Sequence, residues 1–470
     1  MPTIPVQIAA ADWQPKGANV IRVGTSLYVR LYLVVSPSES RMGMFKSVDD
    51  GATWVQVDAD KYAGDYGVSF TPGCGVLAAD GTTILVSYNY YLFGAVTETS
   101  EVNIATFDTL TDTWGADILG PNLTGPRNTI GYSQNNQVGV RGDGTLVLLW
   151  RYTAQPVPFT FQWKFAVWTV ATGNQILSAS WNTGAAQFID TTIRGPIAIA
   201  ADDSAQLFYP RSASGSSAVD AQGMYVRLTA GGVASAEVLA IDTGVLTGMS
   251  LPVGVVVVDD AGTDAVVAGV NEQQLPGFDY IPNMLTGAAT GAPTVYVPNA
   301  GATIRQLSIT KIGDVVYAAS GFSENIAVNS RVVGFTYTTY ENGVWGATTT
   351  VNNGAGGEPD WLEFMVNRLA ANELGFVLEN WDDTTAWFAN VEVEAPEPPA
   401  PAVTAQLYGG GIPTPTGPRC AVVEGREQAR AIVAGRQRER EQVRGPLTVC
   451  ATVSTRLGRR FGSRILRCIP

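Results

Sequence analysis

The stretch KSVDDGATWVQV, residues 46–57, places Ser47, Asp49, Gly51, Thr53 and Trp54 in the pattern S-x-D-x-G-x-T-W. Its physics is that of a hairpin turn. An Asp side chain in a tight turn accepts hydrogen bonds from backbone N–H groups one to three residues on, and Gly supplies the positive φ that closes the turn. Thr53 and Trp54 then begin a strand, where the indole is large enough to bury against a neighbouring layer and fix the turn's direction. The pattern identifies architecture, and Ser47, Asp49, Gly51, Thr53 and Trp54 are read as structural.

A longer phrase recurs around it: a short apolar strand, a Gly/Asp/Asn turn, then a stronger β-branched or aromatic strand. GVLAADGTTILVSYNY, VGVRGDGTLVLLWRYT and LSITKIGDVVYAASGF are three of seven copies. Anchored on Gly24, Gly81, Gly144, Asp203, Gly262, Gly313 and Asn372, the copies lie 57, 63, 59, 59, 51 and 59 residues apart. A third strand follows most anchors. A turn then leads into a fourth strand marked by Trp54, Trp114, Trp181 or Trp345, which lie 30, 33, 37 and 32 residues past their anchors.

The S-x-D-x-G-x-T-W stretch resembles the Asp box (BNR repeat) of sialidase-like β-propellers. The turns before Trp114 (FDTLTDTW) and Trp345 (TTYENGVW) read as decayed copies that kept the aromatic. The expectation is an all-β propeller of seven four-stranded antiparallel blades over 1–395. Six blades, the number in sialidases themselves, is the alternative. The N-terminal IPVQIAAADW would supply a strand to the short last repeat and latch the ring, because the end blades otherwise expose their packing faces.

The net charge of −13 conceals two opposed ends. Residues 419–470 carry twelve Arg, no Lys and four Glu, a balance of +8, whereas the other 418 residues hold 17 basic and 38 acidic side chains, a balance of −21. Between them, 396–418 contains seven Pro and the run Gly409-Gly410-Gly411, which reads as an extended, semi-stiff connector. The tail beyond reads as a small Arg-rich α/β segment. A charged helix runs over VVEGREQARAIVAGRQREREQVR, a half-buried strand over 447–454, and a basic amphipathic helix carries Leu457, Phe461, Ile465 and Ile469 at i,i+4. Leu457, Arg460, Phe461, Arg464 and Ile465 are its candidate partner-docking residues.

Several function classes fall away. The chain has no His, so Ser-His-Asp chemistry is excluded, and without a C-x-x-C spacing no zinc site is expected. No cofactor and no metal is expected. Cys74, Cys420, Cys450 and Cys468 allow three pairings, and a disulfide within the tail or between subunits is open. The first twenty residues show no basic n-region or apolar h-region, and no apolar run approaches the roughly 18 residues of a membrane span. A soluble protein without a signal peptide is expected, without a transmembrane segment or sequence-specific nucleic-acid binding.

Resemblance to sialidases implies an arginine triad for a substrate carboxylate, a Tyr nucleophile paired with Glu, and an Asp acid/base. Arg22 in VIRVG sits roughly where the first family arginine falls, but Val23 and Gly24 replace the usual Ile-Pro. Arg151 and Arg211 merely occupy similar places in their repeats. Binding is better supported by residue type. Tyr88, Trp150, Arg151, Tyr209, Arg211 and Trp381 are read as lying just beyond the second strand of their repeats, where aromatic faces and guanidinium groups suit a glycan. The alternative is that these aromatics wedge between blades. The resulting expectation is a non-enzymatic virion structural protein, resembling tail or appendage components of tailed bacteriophages. Its tail segment would attach it to other virion proteins, and its propeller would offer an interaction or carbohydrate-binding surface, with an oligomer in the assembly. A sialidase-like glycoside hydrolase and a free-standing carbohydrate-binding propeller are the alternatives.

Overall fold

In the computed structural model, residues 47–54 join the third and fourth strands of an antiparallel sheet. Its strands are Val20–Val23, Ser26–Ser36, Glu39–Ser47 and Val55–Ala63, and Trp13–Gln14 extends the innermost position. The structure describes residues 5–393 and the strands Arg419–Val422, Val449–Leu457 and Arg460–Ile469, apart from intervening stretches. Those stretches are 10–11, 16, 37–38, 64–67, 94–96, 127–131, 155–159, 170–174, 183–194, 213–220, 237, 243–255, 259–264, 271–275, 282–293, 296–302, 314, 324–333, 342–343, 353–360 and 381–384. Two compact units result, 1–395 and 396–470.

Among the described residues of the first unit, the strands gather into seven antiparallel sheets, numbered here in chain order. After the first come sheets within 68–126, 132–182, 198–242, 256–295 and 303–352; the seventh joins 361–392 to Val6–Gln7. Each sheet packs on the next, and the seventh packs on the first, which is the arrangement of a β-propeller. Five buried apolar cores are described between successive sheets. The one between the seventh and first sheets holds Val20, Leu27, Val29, Leu31 and Phe45 against Leu369, Val377 and Phe388.

Six anchors of the repeat lie in turns between first and second strands, and the other, Gly262, lies outside the described residues. Gly24, Gly81, Gly144, Asp203 and Gly313 have φ of 59°, 72°, 82°, 61° and 59°. A left-handed residue costs little as Gly and is tolerated as Asp, which explains the choice of residues.

Neighbouring innermost strands are joined by single polar side chains that reach across to backbone. Asn19 donates Nδ2 to Gly75 O at 2.9 Å and accepts Gly75 N–H at 2.8 Å. Asn367 does the same for Val20, whose N–H lies 3.2 Å from Oδ1. Ser308 brackets the N–H and carbonyl of Val366, at 3.1 and 3.4 Å. Gln137 donates to Gly195 O at 2.9 Å, beside a direct Ile197 N–H to Val138 O bond of 3.0 Å. Each bridge runs from one sheet to the next in chain order.

The ring is latched by the N-terminal segment. Val6 and Gln7 pair with Phe388 and Trp387, and Ile8 donates its N–H to Ala386 O at 2.8 Å. Ile8 and Ala9 are buried in the core between the last and first sheets, as the short final repeat suggests.

The second unit corrects the reading of the tail. Among the described residues there is no helix, so none long and apolar enough to cross a membrane. Val449–Leu457 pairs parallel with Arg419–Val422 and antiparallel with Arg460–Ile469, so the expected amphipathic helix is a strand. The i,i+4 spacing of Phe461 and Ile465 is the reason: four is near one helical turn but is also an even number, and places both residues on one face of a strand. Gly462 and the β-branched Ile465 and Ile469 favour the strand. The helix expected over 422–444 lies almost wholly outside the described residues.

Asn19→Ala leaves the buried N–H and carbonyl of Gly75 without their bridge. It is expected to lower unfolding stability by about 1–3 kcal/mol, read as a lower denaturant midpoint at unchanged m-value. An unchanged midpoint would show that the bridge contributes nothing.

Candidate functional site

The sheets present two kinds of connection at opposite ends. One end carries the turns between strands one and two and between strands three and four; the other carries the remaining connections. The Asp box belongs to the first end. Ser47 Oγ accepts Gly51 N–H at 2.8 Å and donates to Asp49 Oδ1 at 2.7 Å. Asp49 accepts the Thr53 N–H at 2.9 Å and the Thr53 hydroxyl at 2.6 Å, and Trp54 Nε1 donates to Gly51 O at 3.1 Å. The Thr53 hydroxyl, then the Thr53 N–H and the Ser47 hydroxyl, hold the Asp49 carboxyl down to about 2.

This turn is also a joint. The Trp54 ring meets Phe388 of the seventh sheet edge-on, centroids 5.3 Å apart. Gly51, at φ 90°, leaves room for Phe388 where any Cβ would overlap the ring. The equivalent turn of the second sheet docks back on the first: Asp112 takes Lys46 Nζ at 2.7 Å and the Tyr28 hydroxyl at 3.0 Å. That of the fourth docks on the third, where buried Arg141 donates to Thr229 O and Ala230 O at 2.9 and 3.2 Å. Carboxylates at this end mostly shape turns. Asp143, for example, accepts both the hydroxyl and the N–H of Thr145, which hold its carboxyl below the usual range.

Arg22 lies at this same end. Its Nη1 meets Asp50 Oδ1 and its Nη2 meets Glu373 Oε2, each at 2.8 Å, tying the first sheet to the seventh. A guanidinium already holding two carboxylates, one of them on the neighbouring sheet, is a joint residue. It is not placed to begin a clamp for a substrate carboxylate at the other end.

Five of the predicted binding residues lie within second strands and not beyond them, in the halves leading to the opposite end. Tyr88 lies in Thr83–Phe93, Trp150 and Arg151 in Thr145–Ala154, and Tyr209 and Arg211 in Ala205–Ser212. Three of the rings are inter-sheet wedges: Tyr88, Trp150 and Tyr209 are 6%, 4% and 0% exposed. The Tyr88 hydroxyl donates to Asp117 Oδ2 at 2.7 Å, and Lys61 Nζ lies 2.9 Å from Asp117 Oδ1. This is a tyrosine–carboxylate pair, yet it joins the first and second sheets and the phenol is buried. Trp381 and the side chains of Arg151 and Arg211 lie outside the described residues.

Strand register nevertheless places polar and aromatic residues in equivalent rows of the third and fourth sheets. Leu149 and Phe165 of the third sheet and Tyr209 and Met224 of the fourth form the last core rows of that interface. One row further toward the end opposite the Asp box, Arg151 pairs with Trp163, which pairs with Trp181. In the fourth sheet, at the equivalent position, Arg211 pairs with Gln222, which pairs with Asp242. Two arginines, two tryptophans, an amide and a carboxylate thus hold equivalent rows of adjoining sheets. Trp181 is therefore a correction: it is the seventh of eight residues in Gln175–Asn182, at the far end of its fourth strand and not at the entry. Its 37-residue spacing, longest of the four, was the signal. Trp163, Gln222 and Asp242 were not recognised in the sequence, since only cross-strand register aligns them.

Neither a family model nor a curated relative matches the sequence. Among solved structures, the chain is similar to Trypanosoma rangeli sialidase at 10% identity and a TM-score of 0.40, covering 82% of this chain and 55% of that one. It is similar to the phage phi92 endosialidase at 9% identity and 0.43, covering 88% and 72%. It is also similar to the α-L-arabinofuranosidase Arb93A of Fusarium graminearum at 10% identity and 0.43, covering 83% and 98%. The chain thus spans about half the length of the sialidase, and the likeness does not extend past the propeller arrangement.

Lowering pH tests the Asp box. The Asp49 carboxyl lies below its ordinary 3.8, so its stabilising contribution is complete above about 3.8 and is lost as pH falls through about 2. Asp49→Ala is expected to lower Tm at pH 6, and the gap from wild type should close as both are titrated toward pH 2. A gap independent of pH would place the effect elsewhere.

Proposed function

We propose that the protein is a non-enzymatic glycan-binding β-propeller, a single ring of seven blades, displayed on a tailed-phage virion and attached through residues 396–470. The observation that carries the binding part is the pair of rows at equivalent strand positions of adjoining sheets, Arg151-Trp163-Trp181 and Arg211-Gln222-Asp242. Indole faces stack on pyranose rings, guanidinium groups hold carboxylate or hydroxyl oxygens, and Gln and Asp serve the remaining hydroxyls. The engagement of Arg22 at the opposite end supports binding without hydrolysis.

The attachment part is supported by charge and by the Pro-rich connector. A +8 segment beside 418 residues that carry −21 is attracted to acidic surfaces, which speeds encounter more than it sets geometry. Geometry would come from strand pairing, since Arg419–Val422 and Arg460–Ile469 are both edge strands of their sheet. The candidates Leu457, Arg460, Phe461, Arg464 and Ile465 fall on its hairpin.

Binding to an array of acidic and neutral glycans should be saturable, and Arg151→Ala and Arg211→Ala should each weaken it about tenfold or more without changing Tm. Fluorogenic sialosides should not be turned over. Turnover abolished by Arg151→Ala would establish the hydrolase instead, and unchanged binding in both variants would remove the site from this interface.

A chain ending at Glu394 should unfold cooperatively as a propeller and keep glycan binding, yet fail to enter particles. Incorporation equal to that of the full chain would place the anchor on the ring.

A further inference from the structure

Three of the four cysteines stand in one row of the C-terminal sheet. Cys420 of Arg419–Val422 is the partner of Cys450, and Cys450 of the central strand is in turn the partner of Cys468. Directly paired residues share a face of a sheet, with Cα atoms about 4.5–5.5 Å apart. That separation falls inside the 4.4–6.8 Å that a disulfide spans. The two outer cysteines are two strand spacings apart, about 9.6 Å, too far to bridge one another.

We propose that Cys450 forms an internal disulfide with one neighbour in this row, and that the neighbour left over links the chain covalently to a second copy of itself. Cys450 is the shared member, because only the central strand touches both others. An odd thiol at an edge strand then remains, and an identical chain supplies its match. The oxidant is a low-molecular-weight disulfide. The Cys450 thiolate attacks it, forming a mixed disulfide and releasing one small thiol; the neighbouring thiolate attacks the Cys450 sulfur and releases the second. The link between copies forms by the same two exchanges, again reducing one small disulfide to two thiols. Cys74 takes no part: it is buried in the propeller, and burial pushes its thiol up to about 11. This inference is independent of the glycan reading.

Full-length protein, reduced, desalted and incubated with oxidised glutathione, tests it by non-reducing electrophoresis and by thiol titration after unfolding. Wild type should run as a dimer of the 49.7 kDa chain and stop there, with one thiol per chain remaining. Cys420→Ser and Cys468→Ser should each stay monomeric, because Cys450 then consumes the remaining neighbour. Cys450→Ser should form a ladder beyond the dimer, since its two outer thiols cannot reach each other and each is free to link. Cys74→Ser should form the same dimer and leave no thiol. A wild-type chain that stays monomeric, dimers that persist in both outer variants, or a Cys450→Ser chain that stops at the dimer would each overturn the proposal.

Discussion

Near the axis of the ring, the innermost strand of one sheet meets that of the next at an angle that no β-ladder can cross, and the buried backbone groups there must still be paired. Several of the described strands meet this demand with a single side chain. Asn19 and Asn367 present donor and acceptor together and satisfy a neighbouring residue's N–H and carbonyl at once; Ser308 does so with a single hydroxyl. The apolar cores farther out can then be ordinary, since they need only exclude water between sheets already held in order.

The Asp box works at the outer part of the same problem. Its internal bonds make a rigid turn, and the turn's outward face, Gly51 and Trp54, receives Phe388 of the neighbouring sheet. Arg22 adds an ionic link beside it. This use of one end of the ring for joints sets it apart from the other end, toward which the second strands run. The distinction separates Arg22, on a first strand, from Arg151 and Arg211, on second strands.

How far the chain could be read follows from the range of each interaction. The Asp box spans eight residues, so its residue types state its geometry, and the turn anchors show themselves through positive φ. Tyr88, Trp150 and Tyr209 were ambiguous for a definite reason. An aromatic on a blade strand looks the same whether it faces a neighbouring blade or a ligand, and burial decides. Phe461 and Ile465 were ambiguous because their spacing fits two periodicities. Trp163, Gln222 and Asp242 carried no local signal at all.

By itself the sequence determined the class of the ring, its repeat, the turn that Ser47 to Trp54 would make, and the exclusion of histidine chemistry, since each rests on residue type or on contacts within a few positions. The tertiary structure alone decided which side chains face one another. Asn19 and Gly75 are 56 residues apart, Arg22 and Glu373 are 351 apart, and the rows of the third and fourth sheets are aligned by hydrogen-bond register. Register is a property of the paired backbones, and shifting it by one residue would turn every side chain to the opposite face.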